Sequence, residues 1–183
     1  PLRPTPRFLG EGVLGGAAVG SATHLLLRHL DLTRPLDAGG LRKQARALAD
    51  AGFMTAQESA AALTAELAEF FESPLGARLK QAKGLLREKP FSLRLLASEL
   101  PGGHEGQDWV VVQGIIDACF LEDGGWVLLD YKTDMVFGSP KEAAEAHRPQ
   151  LLLYARALQE GTGRPVKEAY VCLLRAGAAV RLI

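Results

Sequence analysis

Two apolar runs stand out along the chain, Val110 to Leu121 and Trp126 to Tyr131. Both are rich in Val, Ile, Leu and aromatic residues, a composition that suits buried strands. Glu122-Asp-Gly-Gly125 joins them, and the Asp123-Gly124 pair predicts a tight hairpin turn, because such a turn needs positive φ. With Glu122 facing Gly125, Asp117 falls directly opposite Asp130. Upstream the period changes: Ala18, Ala22, Leu25, Leu26 and Leu30 recur at spacings of three and four and predict a helix over 16–30. Further helices are predicted over 40–52, stopped by Gly52, and over 55–72, where Thr55 and Glu58 form a capping-box pattern. Ser73-Pro74 opens a short helix over 74–82.

Gly84 begins the β region. Residues 85–96 read as a strand bent at Pro90, hence near a sheet edge. Residues 101–107 read as a turn, and Gly138-Ser-Pro140 ends the extended segment after the hairpin. A helix is expected over 141–159, with Pro149 either kinking it or marking its true start. Residues 166–174 and 178–183 read as closing strands around Arg175-Ala-Gly177, and residues 1–12 as an irregular lead-in. The order predicts an α/β fold, a mixed central sheet flanked by helices. It reads as one domain: a mainly helical layer over 1–82 carrying His24, then an α/β core over 83–183.

The hairpin carries the candidate chemistry. Directly opposed residues have Cβ atoms roughly 4.5–5.5 Å apart, where like charges repel, so Asp117 and Asp130 side by side call for something positive between them. Lys132, two residues past Asp130, projects from the same face. Two carboxylates and an ammonium on one face suit a hard divalent cation, which leaves the lysine free for chemistry. The bland alternative is a hairpin tip with a lysine bridging two surface acids. Against it, the acids follow Gly-Ile-Ile and Val-Leu-Leu, which read as core, where charges are costly to desolvate. The small residues before His24, in Gly20-Ser-Ala-Thr-His24, would let the first helix approach another backbone closely. Taken alone, His24 reads as a core-edge histidine, and His29 and His104 as surface residues. Gln150 and Tyr154 share a helix face at i and i+4.

Composition adds boundaries. The 183 residues suffice for one sizeable core, and 21 basic residues balance 21 acidic ones, which argues against a stand-alone nucleic-acid binder. Basic clusters at Arg42-Lys43-Arg46 and from Arg78 through Arg94 read first as solvated helix faces. No apolar run approaches the ~20 residues of a membrane span. The polar, proline-rich start, the missing initiator Met and the apolar end over 178–183 read as a piece of a longer protein without a secretory leader. Cys119 and Cys172, in apolar strand-like settings, suggest core roles in a reducing, cytoplasmic compartment, and are too few for an iron–sulfur cluster.

The order Gly20-x-x-x-His24, Arg87-Glu88-x-Pro90-Phe91, Gly114-Ile-Ile-Asp117, Asp130-Tyr-Lys132-Thr-Asp134 and Gln150-x-x-x-Tyr154 resembles the RecB-type nuclease domain of the PD-(D/E)xK superfamily. It is similar to the C-terminal nuclease domain of the AddA components of bacterial AddAB helicase–nucleases, over roughly residues 7 to 183. Ile116 stands where the superfamily name expects Pro. The resemblance implies a restriction-endonuclease-like core and metal-dependent cleavage of single-stranded DNA in recombinational repair. It implies Mg2+ or Mn2+ held by His24, Asp117, Asp130 and the Tyr131 carbonyl, with Lys132 orienting or deprotonating the attacking water. Gln150 and Tyr154 would position the scissile strand, and Glu88 would sit at the site's edge or serve a second metal. The partners implied are DNA, a second helicase–nuclease subunit and helicase segments of the same chain. An imidazole ligand suits Mn2+ better than Mg2+. Other readings are a catalytically silent DNA-binding or scaffold module, a phage-type exonuclease or restriction enzyme of the same fold, and a Ca2+-binding interaction domain.

Overall fold

The computed structural model describes residues 15–99 and 108–183. The expected lead-in over 1–12, the turn over 101–107 and His104 lie outside these residues. Among these residues five helices come first: α1 (Gly16–His29), α2 (Ala38–Asp50), α3 (Ala56–Ala61), α4 (Thr64–Glu72) and α5 (Pro74–Gln81). Then follow β1 (Lys83–Leu96), β2 (Trp109–Glu122), β3 (Gly125–Lys132), α6 (Pro140–Glu145), α7 (Arg148–Thr162), β4 (Val166–Leu173) and β5 (Ala178–Arg181). The strands form one sheet in the order β1-β2-β3-β4-β5. Among the described strands only β3 and β4 pair in parallel, and α6 and α7 supply the crossover such a pair requires.

Local chemistry explains most boundaries. Thr55 and Glu58 close the capping box at α3, and Ser73 caps α5 with Pro74 in its first turn. The helix expected over 55–72 is two helices. Their break follows from Thr23, whose buried hydroxyl accepts the Leu63 N–H at 3.2 Å and draws the chain toward α1. The helix expected over 141–159 is also two, and Pro149 lies in the first turn of α7. Asp123 (φ 47°) and Gly124 (φ 79°) form the hairpin turn, and Glu122 faces Gly125.

Helices α1 to α5 cover one face of the sheet. Leu26, Leu41, Leu67 and Phe71 pack there against Phe120 and Leu129. Helix α7 covers the other face, where Leu151 and Leu158 meet Ile116, Leu128 and Val171. Ile116 thus belongs to the α7-side core while Ala118 belongs to the α1-side core. Strict alternation would place both on one face, so the pleat slips at Asp117. Across from it on edge strand β1, Glu88 sits at φ 49°, two residues before Pro90. The bend expected of β1 is therefore shared by β2. Cys119 and Cys172 are buried free thiols. No helix among the described residues is long and apolar enough to cross a membrane.

Candidate metal and active centre

The site is built where α1 meets the bent strands. A Cβ added to Gly20 would lie 2.8 Å from Thr133 Oγ1, so the glycine lets α1 approach the end of β3. At the other end of the helix, the Arg87 guanidinium donates to the Leu27 and Leu30 carbonyls at 2.9 and 2.6 Å. These carbonyls have no partner within their own helix, so Arg87 both caps α1 and fastens it to β1. His24 is held between the two contacts.

His24 Nδ1 lies 3.4 Å from Asp117 Oδ1, and its Nε2 lies 3.2 Å from the Tyr131 carbonyl oxygen. Both ring nitrogens face acceptors, which favours the protonated imidazole. The hydrogen bond with Asp117 raises its pKa, against the opposing effect of burial. Asp117 Oδ2 accepts the Tyr131 N–H at 2.8 Å. The backbone of Tyr131 is thereby held at both its N–H and its carbonyl, and the buried Tyr131 ring is set edge-on against Phe70.

Asp130 is 1 % exposed. Lys132 Nζ lies 2.8 Å from its Oδ2, yet that oxygen receives no aligned hydrogen bond. The contact is an ion pair with poor directionality. Burial raises the Asp130 pKa and the Asp117 charge raises it further, while Lys132 works in the opposite sense. Lys132 also donates to Gln150 Oε1 at 3.0 Å, and Gln150 Nε2 donates to the Tyr154 hydroxyl at 2.6 Å. Burial raises the Tyr154 pKa, the Gln150 bond opposes this, and the charges of Asp130, Asp117 and Glu88 add to the rise. Tyr154 therefore senses all three carboxylates.

The sequence residues fall into two sets joined through Tyr131. One ligand atom from each of His24, Glu88 and Asp117 lies within 4.8 Å of the others, a group able to hold a metal ion. Asp130, Lys132, Gln150 and Tyr154 form the second set, along β3 and α7. The hairpin ladder ends at Ala118–Leu129, one step before Asp117 and Asp130. Glu88, expected at the site's edge or on a second metal, joins His24 and Asp117, while Asp130 meets Lys132. The slip at Asp117 and the positive φ of Glu88 account for this grouping. Neither is visible to a period-two reading of the strand. Two carboxylates and an imidazole fit a divalent cation, and the orphaned Asp130 oxygen gives a further acceptor close by.

Sequence reasoning passed over His147, which precedes α7. Burial lowers its pKa first and the Lys132 charge adds to this, while Asp130 and Asp134 pull it upward. Its only signal was Pro149, marking the start of a helix that aims its first turn at the site. His29, read as a surface residue, is half-buried with its ring 4.9 Å from that of Phe53.

Residues 10–181 match the profile of the PD-(D/E)XK nuclease superfamily. An ATP-dependent helicase/nuclease component from Geobacillus kaustophilus is 40% identical over 190 residues, covering 98% of this chain and 15% of that protein. The proteins of the same description from Desulforudis audaxviator and Pelotomaculum thermopropionicum are 43% and 39% identical, over 98% and 96% of this chain. The chain thus spans about 15% of the length of the curated relatives it matches. With a mixed five-stranded sheet between two helical layers, the restriction-endonuclease-like arrangement, and a profile match along almost its whole length, the chain belongs to the PD-(D/E)XK nuclease superfamily.

Proposed function

We propose that the chain is a divalent-metal-dependent deoxyribonuclease that hydrolyses phosphodiester bonds of single-stranded DNA. It would form the nuclease part of an ATP-dependent helicase–nuclease in double-strand break repair, in the cytoplasm. The observation that carries this reading is the gathering of His24, Glu88 and Asp117 around the backbone of Tyr131, the residue between Asp130 and Lys132. Relatives bearing the helicase/nuclease description support the DNA substrate and the helicase context.

His24, Asp117 and Glu88 would hold Mg2+ or Mn2+, with Asp130 and the Tyr131 carbonyl as further oxygen donors. Such an ion supplies Lewis acidity toward a phosphoryl oxygen and lowers the pKa of bound water. Lys132, aimed by Gln150, neutralises charge developing on the scissile phosphate and orients the attacking water. Gln150 and Tyr154 form a hydrogen-bonded edge that places the strand. Asp117 holds His24 and the Tyr131 peptide in register, so the oxygen and nitrogen donors arrive preorganised.

The direct test is cleavage of single-stranded DNA against titrated Mg2+ and Mn2+. Lys132→Ala and Asp117→Ala should each lose cleavage by at least about a hundredfold while keeping their circular dichroism. Retained cleavage in both purified variants would refute the reading.

A further inference from the structure

Beyond Asp117 the pleat leaves one face of β1 and β2 uncovered among the described residues. Trp109, Val111, Gln113 and Ile115 on β2 alternate with Val110 and Val112, which pack under α7 with Leu93 and Leu95. The exposed set faces away from α7. Ser92 and Arg94 lie opposite Gln113 and Val111 and are exposed as well. Trp109 is 55 % and Val111 63 % exposed, unusual for large apolar side chains in a row. The Arg94 guanidinium lies 4.3 Å from the centre of the Trp109 ring, a cation stacked on an aromatic face. The row carries no acid between Trp109 and Ile115. It then runs straight into Glu88 and Asp117.

We propose that this face is the lane along which single-stranded DNA approaches the metal centre, with Trp109 and Arg94 as its distal stacking platform. The proposal rests on the nuclease reading above. Eight residue steps along the strand lead from Trp109 to Asp117, about 26 Å at the usual rise, enough for several unpaired nucleotides. A strand without partner bases presents flat π-faces and phosphates by turns. Trp109 and the apolar Val111 and Ile115 match the first, while Arg94, Gln113 and Ser92 match the second. An acid-free row ending in carboxylates that need a cation is also the charge order a polyanion would follow toward its point of cleavage. A protein partner would be served by the apolar side chains alone, and would leave the Arg94–Trp109 stack and its continuity with the metal cluster without a purpose.

The chain offers its own probe. It has two tryptophans, and the other, Trp126, is 5 % exposed with its indole N–H bound to Thr162. Titrating the chain with an oligothymidylate of about twelve nucleotides in EDTA should therefore quench Trp109 fluorescence. By anisotropy of a labelled oligothymidylate, Trp109→Ala and Arg94→Ala should each bind about tenfold more weakly, and Trp109→Phe should recover most of the loss. In Mn2+ the same alanine variants should show a raised KM for the strand. Unaltered binding and KM in both variants would overturn the lane while leaving the nuclease reading intact. So would dimerisation through this face, abolished by Trp109→Ala and indifferent to DNA. If instead binding depends on Trp109 but the wild-type chain cuts nothing with either metal, the nuclease reading fails and the binding face stands.

Discussion

A carboxylate buried beside one misaligned ammonium is less comfortable than one in water, and Asp130 is in that position. Its raised pKa has the same origin, so at neutral pH the ionised group opposes folding. Asp130→Asn should therefore leave the chain as stable or raise stability by about 1 kcal/mol in EDTA, while abolishing metal-dependent cleavage. Thermal melts beside cleavage assays would show this, and a large drop in Tm would mean the ion pair with Lys132 supports the fold. Gly20 makes the complementary case. Gly20→Ala places a Cβ against the Thr133 hydroxyl and should cost about 1–3 kcal/mol. Adding Thr133→Ala should return part of that loss. If it does not, the two residues are not in contact.

At the level of elements, α1 packs on the sheet through its apolar face, and specific polar contacts set its position there. Arg87 satisfies two of its terminal carbonyls, and Arg87→Met would leave both without a donor in a half-buried place. A loss of about 2–3 kcal/mol in urea unfolding is expected, with weaker Mn2+ affinity, because His24 rides on that helix. Unchanged metal affinity would show that His24 is held some other way. Helix positions were readable because caps are local: Thr55 with Glu58 and Ser73 with Pro74 lie where the sequence put them. The breaks at Ala62–Leu63 and before Arg148 were less readable. The first depends on Thr23, forty residues away, and the second on which of two roles Pro149 takes.

At the scale of the molecule, Arg78 ties α5 to two strands. It reaches Glu122 on β2 at 2.6 Å and Glu168 on β4 at 2.8 Å, across the intervening β3. The Arg78 bond holds the Glu168 pKa below its ordinary value of 4.5. A carboxylate whose folded pKa is depressed contributes stability above its unfolded pKa and loses it as pH falls through the folded one. Stability should thus decline as pH drops from about 4.5, and Arg78→Met should lower the plateau by about 2 kcal/mol and flatten that decline. Melts from pH 3 to pH 7, roughly the range in which carboxylates titrate, would reveal a parallel decline in both proteins if Glu168 were not responsible.

By itself the sequence determined most of the elements, though not the breaks within two of its helices, and the residue types of the centre, because periodicity, caps and the Asp-Gly turn act over a few positions. It placed Asp130 beside Lys132 for the same reason, two residues apart on one strand. What only the tertiary structure decided was which groups share a possible metal. The slip of the pleat at Asp117, opposite the positive φ of Glu88, turns that carboxylate toward His24. Such a slip depends on β1, β2 and α1 packing together, and no alternation along a single strand encodes it.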